Sequence, residues 1–275
     1  MKRLLLLLFP LLTLSSFAQT KVERLLCENR TNPVGLDISQ PRFSWQLASD
    51  KRGVMQSAYE IRVAGDAASL QTGKSLVWNS GKISSDQSVY VPYQGSALES
   101  GKKYYWQVRV WDNAGKASAW SPSAYWQTAF LQADDWKARW ITVGFAEDTV
   151  LRPSPLFRKT FPVAKKVQSA TAFITSLGMY EAFINGKRVG DAYLTPGWTS
   201  YNKRLQYQVY DVTPMLQSGN NAIGVALGNG WYRGTIGYQG NLNYYGKELA
   251  LLCQVNISYT DGSTETVVSD DSWKS

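Results

Sequence analysis

The chain has 275 residues, of which 44% are hydrophobic and 13% aromatic, and its formal net charge is +8. This length suffices for about two domains. The sequence contains no histidine and only two cysteines, which excludes a Ser-His-Asp triad, a Cys-His dyad and a histidine-ligated zinc ion.

The first 18 residues have the features of a secretory signal peptide. Lys2 and Arg3 precede an apolar run over residues 4–14, and a small-x-small cleavage pattern ends at Ala18. The apolar run is shorter than the about 20 residues that a membrane span requires. The sequence therefore predicts cleavage after Ala18 and a secreted or periplasmic product that has no membrane contact once the signal is removed.

The hydrophobic pattern after residue 18 is that of strands. The segment YEIRVAG places Tyr59, Ile61 and Val63 on one face, and YYWQVRVWD repeats the alternation between Tyr104 and Val110. Alternation with a period of two is typical of half-buried strands, and helical periodicity is almost absent. The sequence therefore predicts an all-β chain.

Three turn signals refine this prediction. The Asn-Gly pair at 185–186 and the Asp-Gly pair at 261–262 each separate two alternating runs. Both pairs predict tight type I′ hairpins, because these residues tolerate positive φ angles. Thr213 followed by Pro214 predicts an N-cap and the first position of one short helical turn.

Residues 21–128 form the first predicted domain. Short strands recur about every ten residues between turns rich in Gly, Ser and Asn, which favours a β-sandwich. The segment from Leu98 to Ser121 follows the pattern L.SG..YYW.VRV.D..G..S.WS and resembles a fibronectin type III or immunoglobulin-like domain. In that resemblance Trp45 is the core tryptophan and Tyr104 lies near the corner position.

Residues 129–155 are predicted to be a linker, and residues 156–275 a second sandwich of the jelly-roll, galactose-binding-like type. We expect Trp136 and Trp140 to anchor the linker to a sandwich. The two cysteines, Cys27 and Cys253, fall in different predicted domains. Two buried free thiols are therefore favoured over a disulfide.

Two segments of the second domain combine aromatic, amide and guanidinium side chains: LTPGWTSYNKRLQYQVYDVT and LGNGWYRG. An aromatic ring can stack on the apolar face of a pyranose while polar groups hydrogen-bond its hydroxyls. The glycines of the second segment are expected to take positive φ angles and to let a ligand approach the backbone. The predicted carbohydrate-binding residues are Trp198, Tyr201, Asn202, Arg204, Asn229, Trp231, Tyr232 and Arg233. For any one of these residues, a role in the core is the alternative.

Three long stretches resemble the N-terminal region of a bacterial α-L-rhamnosidase of glycoside hydrolase family seventy-eight. They are AFINGKRVGDAYLTPGWTSYNKRLQYQVYDVTPML, GNNAIGVALGNGWYRG and LALLCQVNISYTDGSTETVVSDDSWKS. The resemblance implies catalytic glutamates in a helical barrel after Ser275 and hydrolysis with inversion, which needs an acid and a base about 6.5–9.5 Å apart. It implies that this chain is a fragment without the catalytic barrel.

None of the carboxylates in the chain is predicted to be catalytic. Neighbouring strand residues point to opposite faces, so the Asp pairs at 134–135 and 270–271 cannot straddle a bond. Glu181 and Asp191 are interpreted as a solvent-facing residue and a turn residue.

Calcium is the one cofactor considered, because the resemblance implies it for some relatives. Calcium takes six to eight oxygen ligands, and oxygens are available from Asp191, Asn202, Asn229, Asn241 and Asn243. No EF-hand-like spacing connects them, so the sequence leaves the metal unknown.

The predicted partners are a rhamnose-containing glycan and the C-terminal catalytic barrel. Nucleic acid is excluded because Lys and Arg are scattered rather than clustered. Two alternatives stay open. One is a stand-alone secreted carbohydrate-binding protein or adhesin. The other is a structural scaffold whose aromatic residues form an interdomain interface.

Overall fold

The computed structural model describes residues 20–148 and 150–275, so the predicted signal peptide lies outside the described residues. The described chain is nearly all-β, as predicted. No helix within it is long and apolar enough to cross a membrane. The strands are β1 (Lys21–Cys27), β2 (Val34–Leu36), β3 (Arg42–Ala48), β4 (Gln56–Ala64), β5 (Leu76–Asn79), β6 (Val91–Pro92), β7 (Lys103–Asp112), β8 (Ala124–Thr128), β9 (Leu156–Val163), β10 (Val167–Leu177), β11 (Met179–Ile184), β12 (Lys187–Arg188), β13 (Gln208–Asp211), β14 (Gly219–Gly228), β15 (Thr235–Ile236), β16 (Asn241–Leu242), β17 (Ala250–Tyr259) and β18 (Thr264–Val268). The α-helices are α1 (Ala67–Thr72) and α2 (Gly230–Arg233).

The first of two compact units comprises residues 20–31, 40–96 and 104–125. In it β1, β3 and β6 form one antiparallel sheet, and β5, β4 and β7 pair in that order in another. Trp45 and Trp106 are buried between them, and the indole N–H of Trp45 donates to Gln56 Oε1 at 2.9 Å. The predicted core position of Trp45 is confirmed.

Helix α1 interrupts this strand pattern and was missed by the sequence analysis. Asp66 caps its start, since the backbone N–H of Ser69 donates to Asp66 Oδ1 at 2.8 Å. Gly73 ends it in the left-handed conformation with φ 68°. Side-chain N-caps and glycine C-caps are the usual boundaries of helices, and here they flank only six residues.

The second unit comprises residues 32–39, 97–103 and 126–275. Two four-stranded sheets, β13-β10-β17-β18 and β12-β11-β14-β9, enclose its core as in the predicted jelly roll. Strand β14 shows the expected alternation, with Ile223, Val225 and Leu227 buried and their neighbours partly exposed. Its buried asparagine, Asn221, accepts hydrogen bonds from the Asn185 side chain and the Gln217 backbone N–H, and its Nδ2 donates to the Gln217 carbonyl.

The segment predicted as a linker packs against the outer face of the β10–β17 sheet. The Phe130 ring stacks on Phe173 with centroids 3.9 Å apart, and Trp136 contacts both rings edge-on. The backbone N–H of Lys137 donates to Gln254 Oε1 at 2.7 Å. This cover explains why β10 and β17 are buried on both faces rather than on alternate residues. Trp136 anchors the segment as expected, whereas Trp140 is 43% exposed.

The predicted turns have mixed outcomes. Asn185 and Gly186 take φ 51° and 78° between paired Ile184 and Lys187, which confirms the first tight hairpin. The type I′ prediction at 261–262 is wrong. The backbone N–H of Tyr259 donates to the Ser263 carbonyl across a three-residue loop, and only its glycine has positive φ.

The short helical turn after β13 is present, displaced by one residue from its prediction. A 3-10 turn spans Thr213–Met215, with Val212 as the capping residue and Pro214 within the first two positions. Thr213 is thus the first helical residue rather than the cap. Its hydroxyl accepts a hydrogen bond from the backbone N–H of Ala170 at 2.8 Å.

Both cysteines are buried free thiols, as predicted. Burial raises the pKa of Cys253 to about 12. Burial, together with the nearby charge of Glu28, also raises the pKa of Cys27 well above its ordinary value. Both thiols are therefore protonated at neutral pH and poor nucleophiles.

Candidate functional site

Four of the predicted aromatic side chains lie together in the second unit. The Trp198 and Trp231 rings are parallel within 3°, with centroids 5.9 Å apart. Tyr201 meets Tyr232 edge-on at 5.4 Å and Tyr245 at 5.0 Å. We call the six rings of this group the aromatic cluster: Trp198, Tyr201, Trp231, Tyr232, Tyr244 and Tyr245.

The last two members of the aromatic cluster were missed by the sequence analysis. Tyr244 and Tyr245 contact each other edge-on at 4.8 Å, and the Trp198 indole N–H donates to the Tyr245 hydroxyl at 3.4 Å. They belong to the segment NLNYYGKE, which follows β15. The signal was the adjacent tyrosine pair, which has no strand alternation around it.

Two elements position the cluster. Helix α2 follows directly on β14 and carries Trp231 and Tyr232. The chain after β16 returns to it, because the backbone N–H of Tyr245 donates to the Tyr232 carbonyl at 3.2 Å. Gly246 lies against the Tyr232 hydroxyl so closely that a Cβ there would lie 2.1 Å from it.

The glycine prediction for LGNGWYRG is corrected by these contacts. Among Gly228, Gly230 and Gly234, only Gly230 has positive φ, at 49°. A Cβ at Gly230 would lie 2.5 Å from Met179 Cγ, and one at Gly234 would lie 2.2 Å from the Gly230 carbonyl. These two glycines therefore serve close packing within the chain.

Arg233 is buried and binds Glu147 in a neighbouring segment. It is 3% exposed, its Nη1 donates to Glu147 at 2.7 Å, and its Nε donates to Asn229 Oδ1 at 2.7 Å. Within the described residues its Nη2 has no hydrogen-bond partner. The guanidinium and the Asn229 amide oxygen are thus engaged with protein rather than presented on the surface.

The remaining predicted residues lie on an exposed turn. Asn202 and Arg204 have exposed side chains, and the turn is closed by the backbone N–H of Lys203, which donates to the Ser200 carbonyl at 2.7 Å. The Tyr201 hydroxyl donates to the Gly197 carbonyl at 2.8 Å and fixes the ring. This turn holds Tyr201 in the cluster and leaves polar groups beside it.

Two tyrosines of the cluster, Tyr201 and Tyr232, are neutral hydrogen-bonding groups. Burial raises the pKa of Tyr201, and the neighbouring Tyr245 raises it further. Burial and the charge of Glu248 raise the pKa of Tyr232. The cluster therefore combines a 54% exposed indole, Trp198, with the phenol groups of Tyr201 and Tyr232, whose raised pKa keeps them protonated at neutral pH. Such a surface suits binding of a ligand that has apolar faces and hydroxyl edges.

Two of the five oxygens considered for calcium are engaged by arginine side chains. Asn229 Oδ1 accepts from Arg233, and Asn243 Oδ1 accepts from Arg152 Nη1 at 3.1 Å, so a positive charge adjoins each. Among the described residues no group of three or more Asp, Glu or Cys side chains is placed to hold a metal ion. Calcium requires several convergent oxygens, and a cation would be repelled at the two that adjoin arginines.

Two family models match the chain in tandem. Residues 22–132 match the Rha78A-like N-terminal immunoglobulin domain, and residues 165–275 match the alpha-L-rhamnosidase N-terminal domain. An alpha-L-rhamnosidase of Formosa agariphila is 38% identical over 94% of this chain, which spans 29% of that relative. One from Alteromonas sp. strain LOR is 36% identical over 90% of the chain and 28% of the relative.

Solved structures agree with these matches. The alpha-L-rhamnosidase of Aspergillus terreus superposes with a TM-score of 0.83 at 37% identity, covering 92% of this chain and 29% of that one. The Streptomyces avermitilis enzyme, solved in complex with L-rhamnose, gives a TM-score of 0.85 at 26% identity. This match covers 92% of this chain and 41% of that one. The chain thus spans less than half of the length of each of these relatives. It belongs to the family of alpha-L-rhamnosidase N-terminal regions, with an immunoglobulin-like domain followed by the rhamnosidase N-terminal domain.

Proposed function

We propose that this chain is the non-catalytic N-terminal part of an enzyme that hydrolyses terminal α-L-rhamnose from glycans with inversion. Catalysis would take place in a C-terminal barrel, which the two sandwiches would support. The tandem order of the two family matches carries this proposal, together with the 28–29% of relatives' length that the chain spans. A stand-alone binding protein or adhesin is less favoured, because these relatives are named alpha-L-rhamnosidases.

The reading frame downstream of codon 275 tests the enzyme proposal. An open frame that encodes helical repeats with paired glutamates would support it. A stop codon, or a frame that encodes only further sandwiches, would favour the binding-protein alternative.

The second part of the proposal is that the aromatic cluster contacts sugar. Its support is the half-exposed Trp198 beside the parallel Trp231 ring, with the exposed polar side chains of Asn202 and Arg204 on the adjoining turn. We expect weak binding of L-rhamnose, with a Kd on the order of millimolar, which corresponds to about −4 kcal/mol.

Titration calorimetry of the chain with L-rhamnose measures this binding. Trp198→Ala and Trp231→Ala should abolish the heat, because each removes a ring face. Trp140→Ala is the matched control, since this 43% exposed indole lies outside the cluster. Equal heat from all four proteins would contradict sugar binding at the cluster. Absence of heat from the unsubstituted chain would leave the cluster as a contact surface for the barrel.

We also propose that the chain is exported to the periplasm or secreted. The support is the signal-like pattern of residues 1–18, with its basic start, apolar run and Ala18 cleavage position. N-terminal sequencing of the exported product should begin at Gln19. An intact N-terminus in the cytoplasmic fraction would overturn this proposal.

A further inference from the structure

One face of the β4–β7 sheet in the first unit carries an alternating stack of cations and indole rings. Arg62 Cζ lies 4.2 Å from the Trp120 ring centroid, and Arg109 Cζ lies 4.8 Å from the same ring. Arg109 Cζ also lies 5.0 Å from the Trp111 centroid, which Lys82 Nζ approaches to 4.6 Å. We call these five side chains the Trp–Arg ladder.

Strand alternation places the ladder on the outer face. Val108 and Val110 of β7 are buried in the core, so Arg109 and Trp111 point away from it. On β4 the buried Ile61 and Val63 likewise leave Arg62 on the outer face. The ladder is therefore a surface feature.

Hydrogen bonds fix the orientation of both guanidinium groups. Arg109 Nε and Nη2 donate to Glu60 Oε2 at 2.8 and 2.6 Å. Arg62 Nε and Nη2 donate to Gln107 Oε1 at 3.2 and 2.7 Å. Arg62 Nη2 also donates to the Gln71 carbonyl at 3.5 Å, and a Cβ at Gly73 would lie 3.2 Å from Arg62 Nη1. Among the described residues neither Nη1 atom has a hydrogen-bond acceptor, so each group keeps a donor that is already oriented.

The ladder has an excess of positive charge. Within the part of the chain that the structure describes, Arg109 forms a salt bridge with Glu60, whereas Lys82 and Arg62 form none. Burial and the repulsion of Arg109 lower the pKa of Arg62, and the attraction of Glu60 offsets this lowering only in part. Like charges held this close would be stabilised by an anion from outside the chain.

The arrangement distinguishes between classes of ligand. Cations cover the indole faces of Trp111 and Trp120, so stacking of a neutral sugar or a nucleobase on those faces is blocked. The N–H donors of the cations and the edges of the indole rings remain open to a ligand. The same face continues to the half-buried Tyr105 and Tyr125 rings, whose centroids are 6.1 Å apart. This stripe of cationic donors and apolar edges matches a chain in which acidic groups alternate with apolar C–H surfaces.

We infer that the Trp–Arg ladder is a docking surface for an acidic polysaccharide, whose carboxylates pair with Lys82 and the free guanidinium edges. This inference goes beyond the proposed function. A failure to bind acidic polysaccharide would leave the tests of rhamnose hydrolysis unaffected.

Native affinity electrophoresis of the full chain in gels with polygalacturonate tests the docking surface. We expect polygalacturonate to retard the chain. Salt at about 0.5 M, which shortens the screening length to about 4 Å, should remove the retardation. Neutral dextran should cause none. Lys82→Ala and Arg62→Gln should each weaken retention by up to about fivefold, and together by about tenfold or more, as for exposed ion pairs. Lys187→Ala, an exposed lysine of the β11–β12 hairpin, is the matched control and should bind normally.

Three results would overturn the inference. They are no retardation of the unsubstituted chain, equal retention of the ladder variants and the control, and equal retardation by polyglutamate, which would indicate an acidic polypeptide instead. Thermal unfolding of each variant checks its fold. Lys82 is exposed, so Lys82→Ala alone still decides the question if Arg62→Gln fails to fold.

Discussion

At the scale of single residues, Gly230 combines a positive φ with little room for a side chain beside the aromatic cluster. Its φ is 49°, and an added Cβ would lie 2.5 Å from Met179 Cγ. We expect Gly230→Ala to lower the free energy of unfolding by about 1–3 kcal/mol, through backbone strain and displacement of Met179. Urea unfolding followed by tryptophan fluorescence measures this loss.

The control for that substitution is Gly144→Ala, because no atom lies within 4 Å of the added Cβ and its φ is not positive. It should change the unfolding midpoint little. Equal midpoints for the two variants would mean that Met179 and the backbone adjust without cost, and that the glycine is not required for packing.

Glu28 and Arg42 give the first unit a pH-dependent contribution. Glu28 accepts from the Arg42 backbone N–H at 2.7 Å and from Arg42 Nη2 at 2.6 Å. The side-chain hydrogen bond of Arg42 lowers the pKa of Glu28, against the opposing effect of burial. Since the folded-state pKa is below the unfolded value of about 4.3, the pair stabilises the fold above that pH. The contribution is lost as pH falls through the lowered pKa.

Glu28→Gln should therefore destabilise the chain at pH 7 by about 1 kcal/mol, with the difference shrinking toward about pH 2–3. Urea midpoints at both pH values measure it. Glu23→Gln, at an exposed glutamate of the same unit, should show a smaller and flatter difference. A Glu28→Gln effect that stays constant across this pH range would contradict the assignment.

At the scale of elements, the segment between the predicted domains is part of a packed layer. Phe130 is buried against Phe173, so Phe130→Ala should remove ring contacts and leave a cavity. We expect a loss of about 3–5 kcal/mol in the free energy of unfolding. Phe145→Ala is the control, because its ring is 58% exposed. A midpoint shift for Phe130→Ala no larger than the control's would show that the segment docks only loosely.

The elements also show what the sequence could and could not predict. Strands were predictable because alternation extends over six to ten residues, as in β7 and β14. Helix α1 has six residues, too few for helical periodicity, and only its caps, Asp66 and Gly73, signalled it. The loop at 261–262 was misjudged because an Asp-Gly pair also suits a three-residue loop that ends in a glycine of positive φ.

The residue types of the candidate site were predictable from the sequence, but the burial of each residue was not. The sequence assigned Trp198 and Trp231 to one set of predicted carbohydrate-binding residues, and in the structure their rings are stacked. It did not predict that Arg233 is buried, because its partner, Glu147, lies 86 residues earlier in the chain. A contact of that range leaves no local pattern, whereas aromatic enrichment within one segment does.

At the scale of the whole molecule, two β-sandwich units of the rhamnosidase type occur in tandem, each with its own buried core. The aromatic cluster of the second unit and the Trp–Arg ladder of the first have different chemistry. One offers phenol hydroxyls and a half-exposed indole, and the other offers oriented cations. We propose glycan recognition for both, and neither role requires that bond cleavage take place in this part of the protein.

We propose that this chain is the non-catalytic part of an α-L-rhamnosidase, and hydrolysis of an aryl α-L-rhamnoside tests this most directly. The assay compares this chain with the product of the same gene extended past codon 275. We predict that the chain alone releases no rhamnose. The extended product should release rhamnose as the inverted anomer, which NMR detects. Hydrolysis by residues 19–275 alone, or an inactive extended product that is folded, would contradict the claim.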